Sequence, residues 1–73
     1  MNARASILPL DSSLLASMRY SSPATLDLRL RNGATYRYFT VPRHVADGLA
    51  AAASKGAYFN RHIKGRFPYQ RLG

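Results

Sequence analysis

The stretch Thr25-Leu26-Asp27-Leu28-Arg29-Leu30-Arg31-Asn32-Gly33-Ala34-Thr35-Tyr36-Arg37-Tyr38-Phe39-Thr40-Val41 decides the fold. Leu26, Leu28 and Leu30 fall on one side of an extended chain, and Asp27, Arg29 and Arg31 on the other. This period of two is that of a half-buried strand. Asn32-Gly33 marks a reversal, and Ala34 to Val41 reads as the returning strand. A two-residue loop would pair Arg31 with Ala34 and put Tyr36 and Tyr38 on the charged face. A three-residue loop, with Gly33 left-handed as a bulge, pairs Leu30 with Ala34, Leu28 with Tyr36 and Leu26 with Tyr38, and sets Asp27 opposite Arg37. A one-residue slip moves every side chain of a strand to the wrong face. The longer loop is therefore expected, with an outer face carrying Arg29, Arg31, Arg37 and Phe39.

Upstream, Leu14 to Tyr20 reads as a first strand with Met18 and Tyr20 on one face, closed by a turn at Ser21-Ser22-Pro23. Residues 1–11 read as a flexible N-terminal arm. Downstream, Pro42 suits the first turn of a helix. Val45, Leu49 and Ala52 recur at i, i+4 and i+7, so this helix is expected to run to about Ala53, with Ser54 and Gly56 breaking it. A shorter helix over about Ala57–Lys64 would turn Tyr58, Phe59 and Ile63 inward and stop at Gly65. The expectation is an α+β domain over 12–65: a three-stranded antiparallel sheet, β-β-β, followed by two short helices packed on one face. Residues 66–73, interrupted by Pro68, read as a basic extended tail.

With 73 residues the chain has material for one modest core, since domains of this size bury only about 60% of their unfolded surface. An apolar fraction of 47% nevertheless excludes a disordered chain. The absence of cysteine excludes disulfides and thiolate metal sites. No apolar run approaches the ~20 residues of a membrane span, and Met1 to Leu10 lacks the pattern of a signal peptide. The expectation is a soluble, cytoplasmic monomer with no membrane partner.

Catalytic constellations are missing. Asp11, Asp27 and Asp47 are scattered and are the only acids, which leaves no carboxylate pair for acid–base chemistry. His44 and His62 do not make a metal cluster. Ser54-Lys55 lies just past a helix end and reads as a cap. No catalytic residue, metal or cofactor is expected.

Charge is the dominant signal: eleven Lys and Arg against three acids give +8. Nine of the eleven are arginines, the cation suited to bidentate contact with phosphate and carboxylate. Ser54 to Arg71 interleaves aromatics with Lys55, Arg61, Lys64, Arg66 and Arg71 and contains no acid. Cations for phosphates and aromatic faces for bases are the ingredients of single-strand binding, and Arg and Tyr also anchor protein interfaces. The candidate partner-binding residues are Arg61, Lys64, Arg66, Arg71, Lys55 and Tyr69, with Arg29, Arg31 and Arg37 on the hairpin.

Ser12-Ser13, Leu15, Met18, Tyr20, Leu26-x-Leu28-x-Leu30, Asn32-Gly33, Tyr36-x-Tyr38, Val41-Pro42 and Ser54-Lys55-Gly56-Ala57-Tyr58-Phe59-Asn60 together resemble the KTSC domain family. The resemblance covers about residues 12–64. It departs from the family's pattern at Arg19, where a small residue is usual, and at Ser21, where an acid is usual. It implies a small α+β module without established catalysis, found at the C-terminus of some lysyl-tRNA synthetases and so associated with RNA. In length and charge the chain is also similar to small phage-encoded regulators that bind bacterial RNA polymerase, a likeness that carries no residue across. Two functions are therefore expected. One is a transcription regulator that binds bacterial RNA polymerase, inhibiting initiation or promoting antitermination in the host cytoplasm. The alternative is a KTSC-type RNA- or DNA-binding module.

Overall fold

The computed structural model describes residues 7–73. In chain order it runs β1 (Leu8–Pro9), β2 (Leu15–Ser21), β3 (Thr25–Leu30), β4 (Thr35–Tyr38), α1 (Arg43–Ala51), α2 (Lys55–His62) and β5 (Tyr69–Arg71). The strands form one antiparallel sheet in the order β1-β2-β3-β4-β5. The chain leaves the sheet after β4, builds both helices, and returns to place β5 beside β4.

The hairpin has the register expected from its side chains. Leu26 faces Tyr38, Leu28 faces Tyr36 and Asp27 faces Arg37. Gly33 adopts φ 96°, a left-handed conformation that glycine reaches without a Cβ clash. Its N–H donates to the Leu30 carbonyl at 3.0 Å, while the Leu30 N–H donates to Ala34 O at 2.8 Å. The return strand is shorter than expected, because Thr40 at φ 58° turns the chain out of the sheet before Val41. In β2 an irregularity between Leu15 and Ser17 shifts the register. That extra residue lets Leu15 and Met18, three apart, both enter the core.

The sheet has five strands where three were expected, and both additions are edges. Leu8 and Pro9 pair with Met18 and Ser17, and Leu10 behind them is buried. Proline is tolerated at an edge because its missing N–H would face away from the sheet. Residues 1–6 of the expected arm lie outside the described residues; from Leu8 the segment belongs to the sheet. At the other end, the expected extended tail supplies β5, which pairs Tyr69 with Tyr38, Gln70 with Arg37 and Arg71 with Tyr36. Neither edge shows an alternating apolar pattern, because each borrows its order from a neighbour's hydrogen bonds.

Both helices cover the sheet face formed by Met18, Leu26, Leu28 and Tyr38, to which they add Ala46, Leu49, Phe59 and Ile63. In α1 the buried stripe is Ala46 and Leu49, with Val45 half-buried, so it is rotated slightly from the expected one. Pro42 caps α1 from outside its first turn. Helix α2 starts at Lys55 rather than near Ala57, because Ser54 Oγ accepts from the Ala57 N–H at 3.3 Å. Gly56 does not break it; a side chain there would approach Leu14 at 3.7 Å. The helices meet where the Tyr58 ring lies across Gly48 and its hydroxyl donates to Val45 O at 3.0 Å.

Candidate nucleic-acid interface

The two faces of the sheet divide the candidate residues. On the outer face, Arg19, Asp27 and Arg37 lie side by side across β2, β3 and β4. Arg37 Nε donates to Asp27 Oδ1 at 2.8 Å and its terminal nitrogen to Oδ2 at 3.0 Å, while Arg19 donates to Oδ2 at 3.2 Å. The hydrogen bonds from Arg37 hold the Asp27 carboxyl below the usual aspartate range, more than offsetting its burial, and Arg19 adds to the effect. Arg37 is therefore committed to a fold contact. Arg29, next along the face, is exposed beside Ser17 and Thr35. Arg31 turns to the N-terminal segment, where it donates to Ser12 O at 3.0 Å and Leu10 O at 2.9 Å. That staple explains how so short a segment is held.

The inner face carries a different arrangement. Beside the helices a groove of about 560 Å³ opens, with Leu14 and Leu30 in its apolar lining. Tyr36, Tyr38 and Tyr69 line it from the sheet, Phe59 and Asn60 from α2, and Lys64 and Gly65 from the turn that follows. Adjacent strands set the tyrosine rings close: Tyr69 stands edge-on to Tyr36 at 5.7 Å and tilted against Tyr38 at 5.5 Å. Phe59 meets Tyr38 edge-on at 6.0 Å, tying the cluster to the core. Tyr38 is buried, whereas Tyr69 is 59% exposed and offers its ring to solvent. Burial pushes the Tyr38 hydroxyl above the ordinary tyrosine value, helped by the neighbouring Tyr69 and Tyr36. Arg71 places its guanidinium 5.8 Å from the centre of the Tyr36 ring, within the range of a cation–π contact.

The KTSC domain family model matches residues 11–67 of the chain. The chain belongs to the KTSC family. Among relatives of this KTSC domain, a lysine–tRNA ligase of Trichormus variabilis is 40% identical over 67 residues, covering 90% of the chain. The lysine–tRNA ligase of Nostoc punctiforme is 36% identical over the same length. The chain spans only 12% of the length of these ligases. A protein of Tsukamurella paurometabola is 42% identical over 60 residues, with 81% of the chain and 90% of the relative covered. Among solved structures, the crystal structure of a KTSC domain protein from Yersinia pestis superposes with a TM-score of 0.88 at 32% identity, covering 94% of this chain and 99% of that one.

Within the KTSC domain, the nine candidate residues thus fall into separate places. Lys64 and Tyr69 line the groove and Arg71 lies beside it over Tyr36. Arg66 is exposed in the turn between α2 and β5. Arg61 is exposed beside Ser54, Tyr58 and His62, in a hollow separate from the groove. Lys55 donates to Ala52 O at 2.7 Å and so helps to close the end of α1. Arg29 belongs to the opposite face, and Arg31 and Arg37 serve the fold. Tyr36, Tyr38 and Asn60 were not among the candidates. The Tyr36-x-Tyr38 alternation reads as core, and nothing in it reveals that a distant strand will leave part of those rings facing a groove. Among the described residues, no three His, Asp or Glu side chains cluster as a metal site requires, and no helix is long and apolar enough to cross a membrane.

Proposed function

We propose that this KTSC domain is a noncatalytic RNA-binding module that takes unpaired bases in the aromatic groove and phosphates on the cations around it. The groove supports the reading most directly. It combines an exposed tyrosine ring with Lys64 in its lining and Arg71 beside it, and no carboxylate lines it. Stacking on aromatic rings and neutralisation of phosphates by Lys and Arg are the two terms of single-strand affinity. Arg66, in the turn after α2, and Arg61, in the separate hollow on α2, are further exposed cations. The lysine–tRNA ligases among its relatives act, by their names, on a tRNA, which favours RNA over DNA as the partner.

The test is fluorescence anisotropy of a labelled single-stranded RNA octamer across a salt series. Affinity should fall log-linearly with salt, with a slope near −0.7 per neutralised phosphate. Tyr69→Ala should weaken binding by about 1–3 kcal/mol, the usual contribution of one stacked base. Charge reversal at Arg61, Lys64 and Arg66 should abolish binding while the circular dichroism spectrum stays unchanged. If the triple variant binds normally, the groove side is not the interface.

A second reading draws on the exposure of Arg61, Arg66 and Tyr69, residue types that anchor protein interfaces. In it the domain binds bacterial RNA polymerase and regulates transcription in the cytoplasm. Nuclease-treated polymerase should then retain the protein at moderate salt; passage straight through would eliminate this reading.

A further inference from the structure

Within Ser54-Lys55-Gly56-Ala57-Tyr58-Phe59-Asn60, the local structure accounts for every residue before Asn60. Ser54 caps α2, Lys55 closes α1, Gly56 lies against Leu14, the Ala57 N–H meets the cap, Tyr58 bridges to Val45, and Phe59 is core. Asn60 is different. It is exposed, its side chain makes no hydrogen bond among the described residues, and it lines the aromatic groove. Asparagine is also a poor helix former, so its place inside α2 does not serve the helix. Lys64 lines the same groove. The carboxamide of Asn60 and the ammonium of Lys64 thus put N–H donors beside the tyrosine rings.

We infer that the groove selects an unpaired purine over a pyrimidine, with the Asn60 carboxamide donating to the purine's N7 and Lys64 meeting the adjoining phosphate. This rests on the RNA-binding reading above. Adenine and guanine both carry N7 as an acceptor on the edge left open by Watson–Crick pairing, and pyrimidines have no such atom. Asn60 donates through its NH₂ and can accept through its Oδ1, so it can meet N7 and the adjacent N6 amine of adenine together, a pair that no pyrimidine presents. A two-ring base also covers more of the surface presented by Tyr36 and Tyr69. Asn60, on the regular backbone of α2, is the better placed of the two to discriminate, and Lys64 adds charge for the adjoining phosphate.

The experiment uses the full chain and labelled uridine octamers carrying one central adenosine, one 7-deazaadenosine or no purine. The 7-deaza base keeps the shape and stacking of adenine and lacks only the N7 acceptor. The adenosine octamer should bind about five- to tenfold more tightly than the 7-deaza octamer, as one hydrogen bond predicts. Asn60→Ala should erase most of that difference. The substitution is at an exposed helical site, and circular dichroism will verify that the fold is intact. Equal binding of the adenosine and 7-deaza octamers overturns the inference while leaving the RNA-binding reading standing, and so does full discrimination by Asn60→Ala. If no octamer binds, the RNA-binding reading fails and this inference with it.

Discussion

Asp27 is the one buried charged residue among those described, and it accepts from two arginines on neighbouring strands. Its carboxylate is held below its ordinary value by Arg37 above all. A carboxylate whose folded value is depressed stabilises the fold at pH above the unfolded value, about 4, and that contribution is lost as pH falls through the lower folded value. Asp27→Asn should therefore lower stability at neutral pH by about 1–3 kcal/mol. The gap between variant and parent should narrow as the pH falls below about 4, which thermal unfolding at a series of pH values will show. A gap independent of pH would mean that the charge on Asp27 is not what matters. The pairing of Asp27 with Arg37 is legible in the hairpin sequence, since the register that buries the leucines sets the two opposite. The part played by Arg19 is not, because it depends on how β2 docks on the far side of β3.

Helix α1 illustrates a choice made between elements. Gly48 lies in the middle of α1, where alanine would ordinarily favour the helix by about 1 kcal/mol. A Cβ at that position would collide with the Tyr58 hydroxyl and come within 2.7 Å of the ring carbon that bears it. Gly48→Ala should therefore destabilise the domain, by about 1–3 kcal/mol as for an overpacked core, against the sign that propensity predicts. Chemical denaturation will decide it; a stabilised variant would show that Tyr58 moves aside easily. The boundaries of α2 make the same point. Ser54 and Gly56 look like breaks in sequence, yet one caps the helix and the other lies inside it, with ordinary contact room beside Leu14. Local composition shows that something changes at these positions, and only the neighbouring element shows what.

At the scale of the whole molecule, a small core sets how much change the fold can absorb. Leu15, Leu26, Leu28, Leu49, Ile63 and Val41 are its largest fully buried side chains. Leu28, central in the sheet between Met18 and Tyr36, is fully buried in that core. Leu28→Ala should remove about 2–5 kcal/mol from a domain whose total stability, at about 0.05–0.15 kcal/mol per residue, is about 4–11 kcal/mol. A thermal midpoint falling towards room temperature is expected, and a shift of only a few degrees would show that the site collapses around the gap. By itself the sequence determined the hairpin, its register, its three-residue turn and the positive charge. These are short-range properties, set by alternation along one strand and by the conformations open to one glycine. The tertiary structure alone decided the two edge strands, the division of the arginines into fold contacts and exposed cations, and the tyrosine groove. Strand β5 and the groove arise when residues more than thirty apart, such as Tyr38 and Tyr69, are brought side by side by hydrogen bonds that leave no pattern in either segment; β1 and the arginine contacts arise from pairings between segments that alternation along one strand does not reveal.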